Sequence, residues 1–175
     1  HFGLERMEAL LALRGNPHLA CPVIHLAGTN VKGSTLAHLR SLLEAKELRV
    51  GVFTSPYLVS FNEQISIDGI PISDRDVETY LSLYQELLAK NSSDQTLRGL
   101  TEFELMTVMA FDYFAAEKPD VVIMEVGMGG RLDSTNVCQP ILTAITTIGL
   151  DHVALLGPDL ASIAQEKAGI IKEKI

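Results

Sequence analysis

"HLAGTNVKGST", residues 25–35, decides how the rest of this chain is read. The apolar run "CPVIHLAG" ends on Gly28, a short polar turn follows, and "STLAHLRSLLEAKEL" then sets Leu36, Leu39, Leu43 and Leu48 near one face at helical spacing. A buried strand, a tight turn and a helix whose first residue, Ser34, can cap it is how a parallel α/β sheet begins. The same arrangement brings a helix N-terminus up to an anion. Thr29, Asn30, Val31, Lys32, Gly33 and Ser34 are therefore candidates to face a phosphate, through backbone N–H groups, the Lys32 point charge and a Ser34 or Thr35 hydroxyl. The strict pattern G-x-x-x-x-G-K-[ST] fails, since its glycines would fall on Leu26 and Val31. On these residues alone, an ordinary strand-to-helix turn fits equally well.

Working outward, "GLERMEALLALRG" is an amphipathic helix ended by glycine, and "VGVFTS" is a second buried strand. In "QISIDGIPIS", alternating isoleucines flank Asp68-Gly69, a two-residue hairpin turn that needs positive φ. Ser73 and Asp76 make a capping-box-like start for a helix with Val77, Leu81, Tyr84 and Leu88 inward. After the polar "NSSDQTLRG", the segment "TEFELMTVMAFDYFAAE" is apolar nearly all round and predicts a deeply buried helix. "DVVIMEV" and "ILTAITTI" read as the last strands, and "DLASIAQEKAG" as a final helix stopped by Gly169. Val- and Ile-rich strands alternating with helices predict a three-layer α/β fold: a mostly parallel sheet covered by helices on both faces.

Composition narrows the function. A chain of 175 residues, 47% hydrophobic, can enclose one sizeable core. No apolar run reaches the roughly 18 residues of a membrane span, and "HFGLERMEALLALRGN" lacks the layout of a signal peptide. Cys21 and Cys138 form no disulfide framework or metal pattern and are expected to be small buried side chains, which suits the reducing cytoplasm. A net charge of −8 argues against nucleic acid, though a pocket can be locally positive on an acidic protein. The chain opens on His1 and stops at "GIIKEKI" just after a helix, which reads as part of a longer protein.

In parallel α/β sheets ligands bind beyond the carboxyl ends of the strands, so the residues following each strand matter most. Ser55 follows the second strand; its hydroxyl can ligate a hard cation or cap a turn. Glu125 ends an apolar strand, where a carboxylate is costly to bury unless paired or metal-bound. The glycines of "EVGMGGRLDSTN" let backbone approach a ligand, while Arg131 and Asp133 can form a surface ion pair. His152 follows the last strand, beside Asp151. Ser55, Glu125 and His152 thus predict a hydroxyl, a carboxylate and an imidazole at one sheet edge, a first shell suited to Mg²⁺ or Mn²⁺. His18, His25 and His38 have no such company and read as structural.

The segments "GTN-KGS", "TSPYLVSFNEQISIDG", "LTEFE", "EVGMGGRLDSTNV", "LDHVALLG" and "IAQEKAGIIK" occur in the order found in folylpolyglutamate synthase, often bifunctional with dihydrofolate synthase, of the Mur ligase superfamily. The chain resembles that family over essentially its whole length, but only as the N-terminal part of the ATP-binding domain, a P-loop NTPase-like fold. The rest of that domain and the C-terminal glutamate-ligase domain lie outside it. The resemblance implies an ATP-dependent carboxylate–amine ligase: ATP phosphorylates a carboxylate of folate or dihydropteroate, and L-glutamate attacks the acyl phosphate. It implies that Thr29, Asn30, Val31, Lys32, Gly33 and Ser34 hold ATP and that Ser55, Glu125 and His152 bind Mg²⁺. Thr101, Glu102, Phe103 and Glu104, with Leu132, Asp133 and Ser134, would touch the pterin-bearing substrate. Lys167 matches a lysine carbamylated in the family, where residues alone suggest a solvated helix lysine. A cytoplasmic enzyme, monomeric when full length, is expected, and the chain alone is expected to be inactive.

One departure stands out: the family has glycine where this chain has Val31. If that position needs φ > 0, a β-branched residue there is strained and crowds the phosphate. Two other readings therefore stay open, a sibling Mur ligase acting on a cell-wall precursor and a catalytically impaired nucleotide-fold module.

Overall fold

The computed structural model describes residues 3–173 and 175; His1 and Phe2, the start of the stretch read for a signal peptide, and Lys174 lie outside them. The strands are β1 (Val23–Ala27), β2 (Val50–Phe53), β3 (Ile65–Ile67), β4 (Ile70–Pro71), β5 (Val121–Glu125) and β6 (Pro140–Ile145). The helices are α1 (Glu5–Leu13), α2 (Lys32–Glu44), α3 (Asp74–Lys90), α4 (Glu102–Glu117), α5 (Val153–Leu156) and α6 (Leu160–Ala168). One sheet runs in the order β4-β3-β2-β5-β1-β6. Its β2, β5, β1 and β6 are parallel, and the β3–β4 hairpin adds antiparallel strands at one edge. The carboxyl ends of all four parallel strands share one rim.

Alternation along β5 shows how the layers form, because successive strand residues point to opposite faces. Val121 and Ile123 join Leu36 of α2, together with Ile24, Leu26, Val50 and Val52. Val122 and Met124 join Met109 and Phe114 of α4 on the other face. Each such side chain, fully buried, contributes about 1.5–3 kcal/mol.

Helix α4 is buried nearly all round, as its composition predicts. Its two inward acids are matched by arginines in and just after α1. Arg6 Nε donates to Glu104 Oε1 at 2.9 Å, and Arg14 Nε donates to Asp112 Oδ2 at 2.9 Å. Both pairs have the same sequence offset of 98 residues, so the arginines meet the acids in parallel register. The Tyr84 hydroxyl of α3 also donates to Asp112 Oδ2, at 2.7 Å.

Local signals mostly match. Asp68 (φ 51) and Gly69 (φ 76) both take the positive φ of the hairpin turn, and Ser73 Oγ caps α3 by accepting from Asp76 N at 3.1 Å. Helix α6 ends at Gly169, as read; that residue is right-handed (φ −59), and a side chain there would come within 2.3 Å of Arg131 Cβ, so close packing requires the glycine. Three details differ from the sequence reading. Leu81 of α3 is 40% exposed rather than inward. Leu48 lies beyond the end of α2. Finally, β6 is an edge strand with Ile141 63% and Leu142 49% exposed, so helix cover on both faces fails there.

Candidate functional site

At the exit of β1, helix α2 starts at Lys32, two residues earlier than the leucine pattern predicts, and its cap position is Val31. Ser34 therefore lies inside the first turn and does not cap; its carbonyl accepts from His38 Nδ1 at 2.7 Å. Val31 is left-handed (φ 57, ψ 14) and supplies no side-chain cap. The helix N-terminus is thus left open to an outside anion. A Cβ added at Gly33 would meet nothing within 4 Å, so the ground above this turn is clear. Lys32 Nζ donates back to Gly28 O at 3.1 Å and stands 3.9 Å from Glu125 Oε1.

Glu125, at the end of β5, is buried. The Thr54 hydroxyl and the Ser55 N–H both donate to its carboxylate, from the exit of β2. Burial pushes its pKa up, and Thr54, Lys32 and the Ser55 N–H oppose that rise. A buried carboxylate answered by donors from two neighbouring strand exits is a site prepared for positive charge.

Ser55, Lys32, Asp151 and His152 open on one cavity of about 890 Å³. Glu125 lies behind that wall, reached through Thr54, Ser55 and Lys32. His152 is left-handed (φ 47), half-exposed, with Nε2 3.7 Å from Asp151 Oδ1. Among the described residues no three His, Cys, Asp or Glu side chains gather as a metal cluster. A hard cation here would draw on the Ser55 hydroxyl, one carboxylate, one imidazole and oxygens from water or phosphate, a donor set suited to Mg²⁺ or Mn²⁺.

The same cavity is lined by Thr101, Phe103, Glu104, Leu132, Asp133 and Ser134, but not by Glu102, which is exposed. Thr101 and Glu104 form a capping box on α4: Thr101 Oγ1 accepts from Glu104 N at 3.2 Å, and Thr101 N donates to Glu104 Oε2 at 2.7 Å. Asp133 turns inward, its carboxylate accepting from Met128 N, Thr135 N and Thr135 Oγ1. It makes no surface pair with Arg131, which binds Glu166 instead at 2.8 Å. Gly130 presses on α6: a Cβ there would lie 2.8 Å from Glu166 O and 2.9 Å from Lys167 O.

Lys167 is no solvated helix lysine. It is 3% exposed, and its pKa is lowered, first by burial and then by Lys32, with Asp151 opposing. A lysine pushed toward its neutral form, within electrostatic reach of Lys32 and Asp151, belongs to the same corner of the molecule.

Sequence reasoning missed Arg6 and Leu156 on the cavity wall and named Asp151 only as the neighbour of His152. Arg6 lay hidden in an amphipathic pattern, where its pairing with Glu104 has no local signal. His25 is structural, as read, but it is tied to the site. Thr135 spends its only hydroxyl proton on Asp133 Oδ1 at 2.5 Å, so the His25 Nε2 contact at 2.8 Å must have the ring donating. His25 is neutral, burial lowering its pKa to about 3.

No protein-family model matches the chain. Individual proteins do. The dihydrofolate synthase/folylpolyglutamate synthase of Bacillus subtilis (strain 168) is 52% identical over 176 residues, covering 99% of this chain and 40% of the relative. The chain is a homologue of the folylpolyglutamate and dihydrofolate synthases. Among solved synthase structures, an FPGS–AMPPCP complex superposes with a TM-score of 0.95 at 41% identity, covering 99% of this chain and 43% of that one. An FPGS–AMPPCP–folate complex gives 0.93 at 42% identity, covering 97% and 42%. The mostly parallel α/β fold read from the sequence is therefore that of these synthases, and the chain spans about two-fifths of the length of the relatives it matches. No helix among the described residues is long and apolar enough to cross a membrane.

Proposed function

We propose that the chain carries the nucleotide and pterin side of an ATP-dependent ligase that joins L-glutamate to a carboxylate of folate or dihydropteroate. The supporting observation is a single cavity of about 890 Å³ lined both by Lys32, Ser55 and His152 and by Thr101, Phe103, Asp133 and Ser134. AMPPCP and folate are bound together in one of the homologous structures. The open amides of α2 and the Lys32 ammonium receive the ATP phosphates. Phe103 and Leu132 offer apolar contact to a flat pterin, with Thr101, Asp133 and Ser134 beside them. Glu104 keeps Thr101 in place through the capping box, and Arg6 keeps Glu104 in place.

Ser55, Glu125 and His152 would hold Mg²⁺, or Mn²⁺, which neutralises phosphate charge when bound. Once the carboxylate has taken the γ-phosphoryl group, the glutamate amine attacks the acyl carbon and phosphate leaves. The residues here orient reactants and offset charge; they supply no nucleophile. Lys167, lowered in pKa by burial, is the residue suited to carbamylation. Its neutral amine attacks carbon dioxide and loses a proton, turning a cation into an anion beside Lys32. The free cysteines fit a cytoplasmic setting, the net charge of −8 fits small-molecule partners rather than nucleic acid, and the full-length protein is taken to be a monomer.

Assaying ADP release by the intact protein with ATP, glutamate and either dihydropteroate or a reduced folate tests this reading. Release that depends on both glutamate and the pterin supports it; release only with a UDP-linked muropeptide precursor would transfer it to a sibling Mur ligase. One observation favours a second reading. Val31 holds a left-handed conformation that a β-branched residue resists, which points to a ligase fold with weakened ATP affinity. Full activity at ordinary ATP concentrations would remove it.

A further inference from the structure

Two threonines at the exit of β6 grip the phosphate turn, and nothing in the ligand chemistry above uses them. Thr146 Oγ1 donates to Asn30 O at 2.7 Å, and Thr147 Oγ1 lies 3.3 Å from the same carbonyl while accepting from Asn30 N at 3.0 Å. The backbone joins in: Thr29 N donates to Thr147 O at 2.9 Å, and Thr146 N donates to Ala27 O at 2.9 Å. Thr29 Oγ1 accepts from Gly149 N at 3.0 Å. Gly28 makes room for this contact, since a Cβ there would come within 1.9 Å of Thr146 Oγ1.

We infer that Thr146 and Thr147 are positioning residues that orient the Asn30–Val31 peptide so that the Val31 N–H faces the incoming polyphosphate. In a planar trans peptide the C=O and the following N–H point in opposite directions. Hydroxyls that hold Asn30 O toward β6 therefore turn the Val31 N–H away from β6. That amide has no protein acceptor among the described residues, and the first backbone bond that closes over it is Thr35 N to Val31 O at 2.9 Å. Left-handed Val31 carries the chain from this fixed peptide into α2. In a chain with a β-branched residue at that position, an external grip on the peptide opposes its relaxation to a right-handed or extended conformation, either of which would swing the amide off target. The inference rests on the reading of residues 28–34 as a polyphosphate site.

The test follows the Val31 amide resonance of the ¹⁵N-labelled chain during titration with sodium tripolyphosphate and with magnesium AMPPCP. The proteins compared are the unaltered chain, Thr146→Val, Thr147→Val and Thr146→Ser, each with its melting temperature. Val31 is expected to shift on saturation in the unaltered chain. Thr146→Val and Thr147→Val should bind roughly three- to tenfold more weakly with a diminished Val31 shift, while the amide resonances of Thr101 and Asp133 stay in place. Thr146→Ser, which keeps the hydroxyl, should bind within about twofold of the unaltered chain. Equal affinity and an equal Val31 shift in a folded valine variant would overturn the inference, as would a serine variant no better than valine. Should Thr146→Val fail to fold, Thr147→Val carries the same comparison. If only Val31→Gly binds, the threonine variants are compared in that background with the amide at position 31. If neither the unaltered chain nor Val31→Gly binds tripolyphosphate, the polyphosphate reading itself falls and the positioning role falls with it.

Discussion

Lys32 and Glu125 leave different strands and meet at the rim of the sheet, with Nζ 3.9 Å from Oε1. The contact is loose, because Lys32 donates to Gly28 O and Glu125 is already served by Thr54 and Ser55. Lys32 is therefore held mainly by a backbone carbonyl, while the carboxylate is fixed by donors from the exit of β2. On the proposed function, Glu125→Gln in the intact protein is expected to lower ADP release by about 10²-fold or more, the scale of losing one electrostatic partner of the reacting group. Lys32→Met should raise the nucleotide dissociation constant at least about tenfold. Steady-state ADP release and nucleotide titration check the two separately.

Val31 is 54% exposed, so replacing it forfeits little apolar burial, while its φ of 57 is unfavourable for a β-branched residue. Relief of strain of about 1–3 kcal/mol is partly offset by the extra freedom glycine gives the unfolded chain. Val31→Gly should be more stable by about 1 kcal/mol in urea unfolding, the difference left by those two effects, and should bind ATP more tightly. A less stable glycine variant would show that the turn is not strained.

Gly130 packs on the backbone of α6, where the obstructing atoms are carbonyl oxygens that cannot rotate away. Gly130→Ala is expected to cost about 1–3 kcal/mol, as overpacking does. Because those carbonyls belong to Glu166 and Lys167, the substitution should also move Lys167 and lower activity beyond the loss of folded protein. Thermal unfolding and specific activity per folded molecule give the two readouts.

Acid should find His25. Its folded pKa of about 3 lies below its unfolded value of 6.5, so between those limits the unfolded chain binds the extra proton. The neutral ring's contribution is complete above about pH 6.5 and is lost as pH falls, at about 1.4 kcal/mol per pH unit. Comparing unfolding free energies of the unaltered chain and His25→Gln from pH 7 to pH 4 isolates this part, since the raised carboxyls of Glu125 and Asp133 remain in both. Parallel pH profiles would contradict the assignment.

The Arg14–Asp112–Tyr84 cluster sits apart from the cavity described above. Asp112→Ala leaves Arg14 half-enclosed without its carboxylate and should cost about 3 kcal/mol. Tyr84→Phe removes one hydrogen bond to a charged acceptor, about 1.5 kcal/mol or more. Nucleotide affinity of the folded variants should be unchanged, which urea unfolding paired with a nucleotide titration will show.

Much of the architecture was legible locally. The Asp68-Gly69 turn, the Ser73 cap and the continuous apolar runs of β1, β5 and α4 depend on neighbours a few residues apart, so pattern alone reveals them. Helix α2 begins early because left-handed Val31 brings the chain directly into the first turn, a choice that the leucine spacing does not encode. The exposure of β6 and the outward Leu81 were equally invisible, since apolar composition does not say which strand or helix face lacks a neighbour.

Taken by itself, the sequence determined that strands and helices alternate, that a glycine-punctuated turn feeds a helix, and which motifs resemble the folate-type ligases. The packing of distant segments set the rest: Glu125 meets Lys32 and Thr54, Asp133 turns inward to Thr135 instead of pairing with Arg131, and Lys167 is buried. The reason is physical. Local conformation follows from steric and hydrogen-bonding preferences within a few residues, whereas a side chain's charge state and partners depend on which distant segments the core brings within a few ångströms of it.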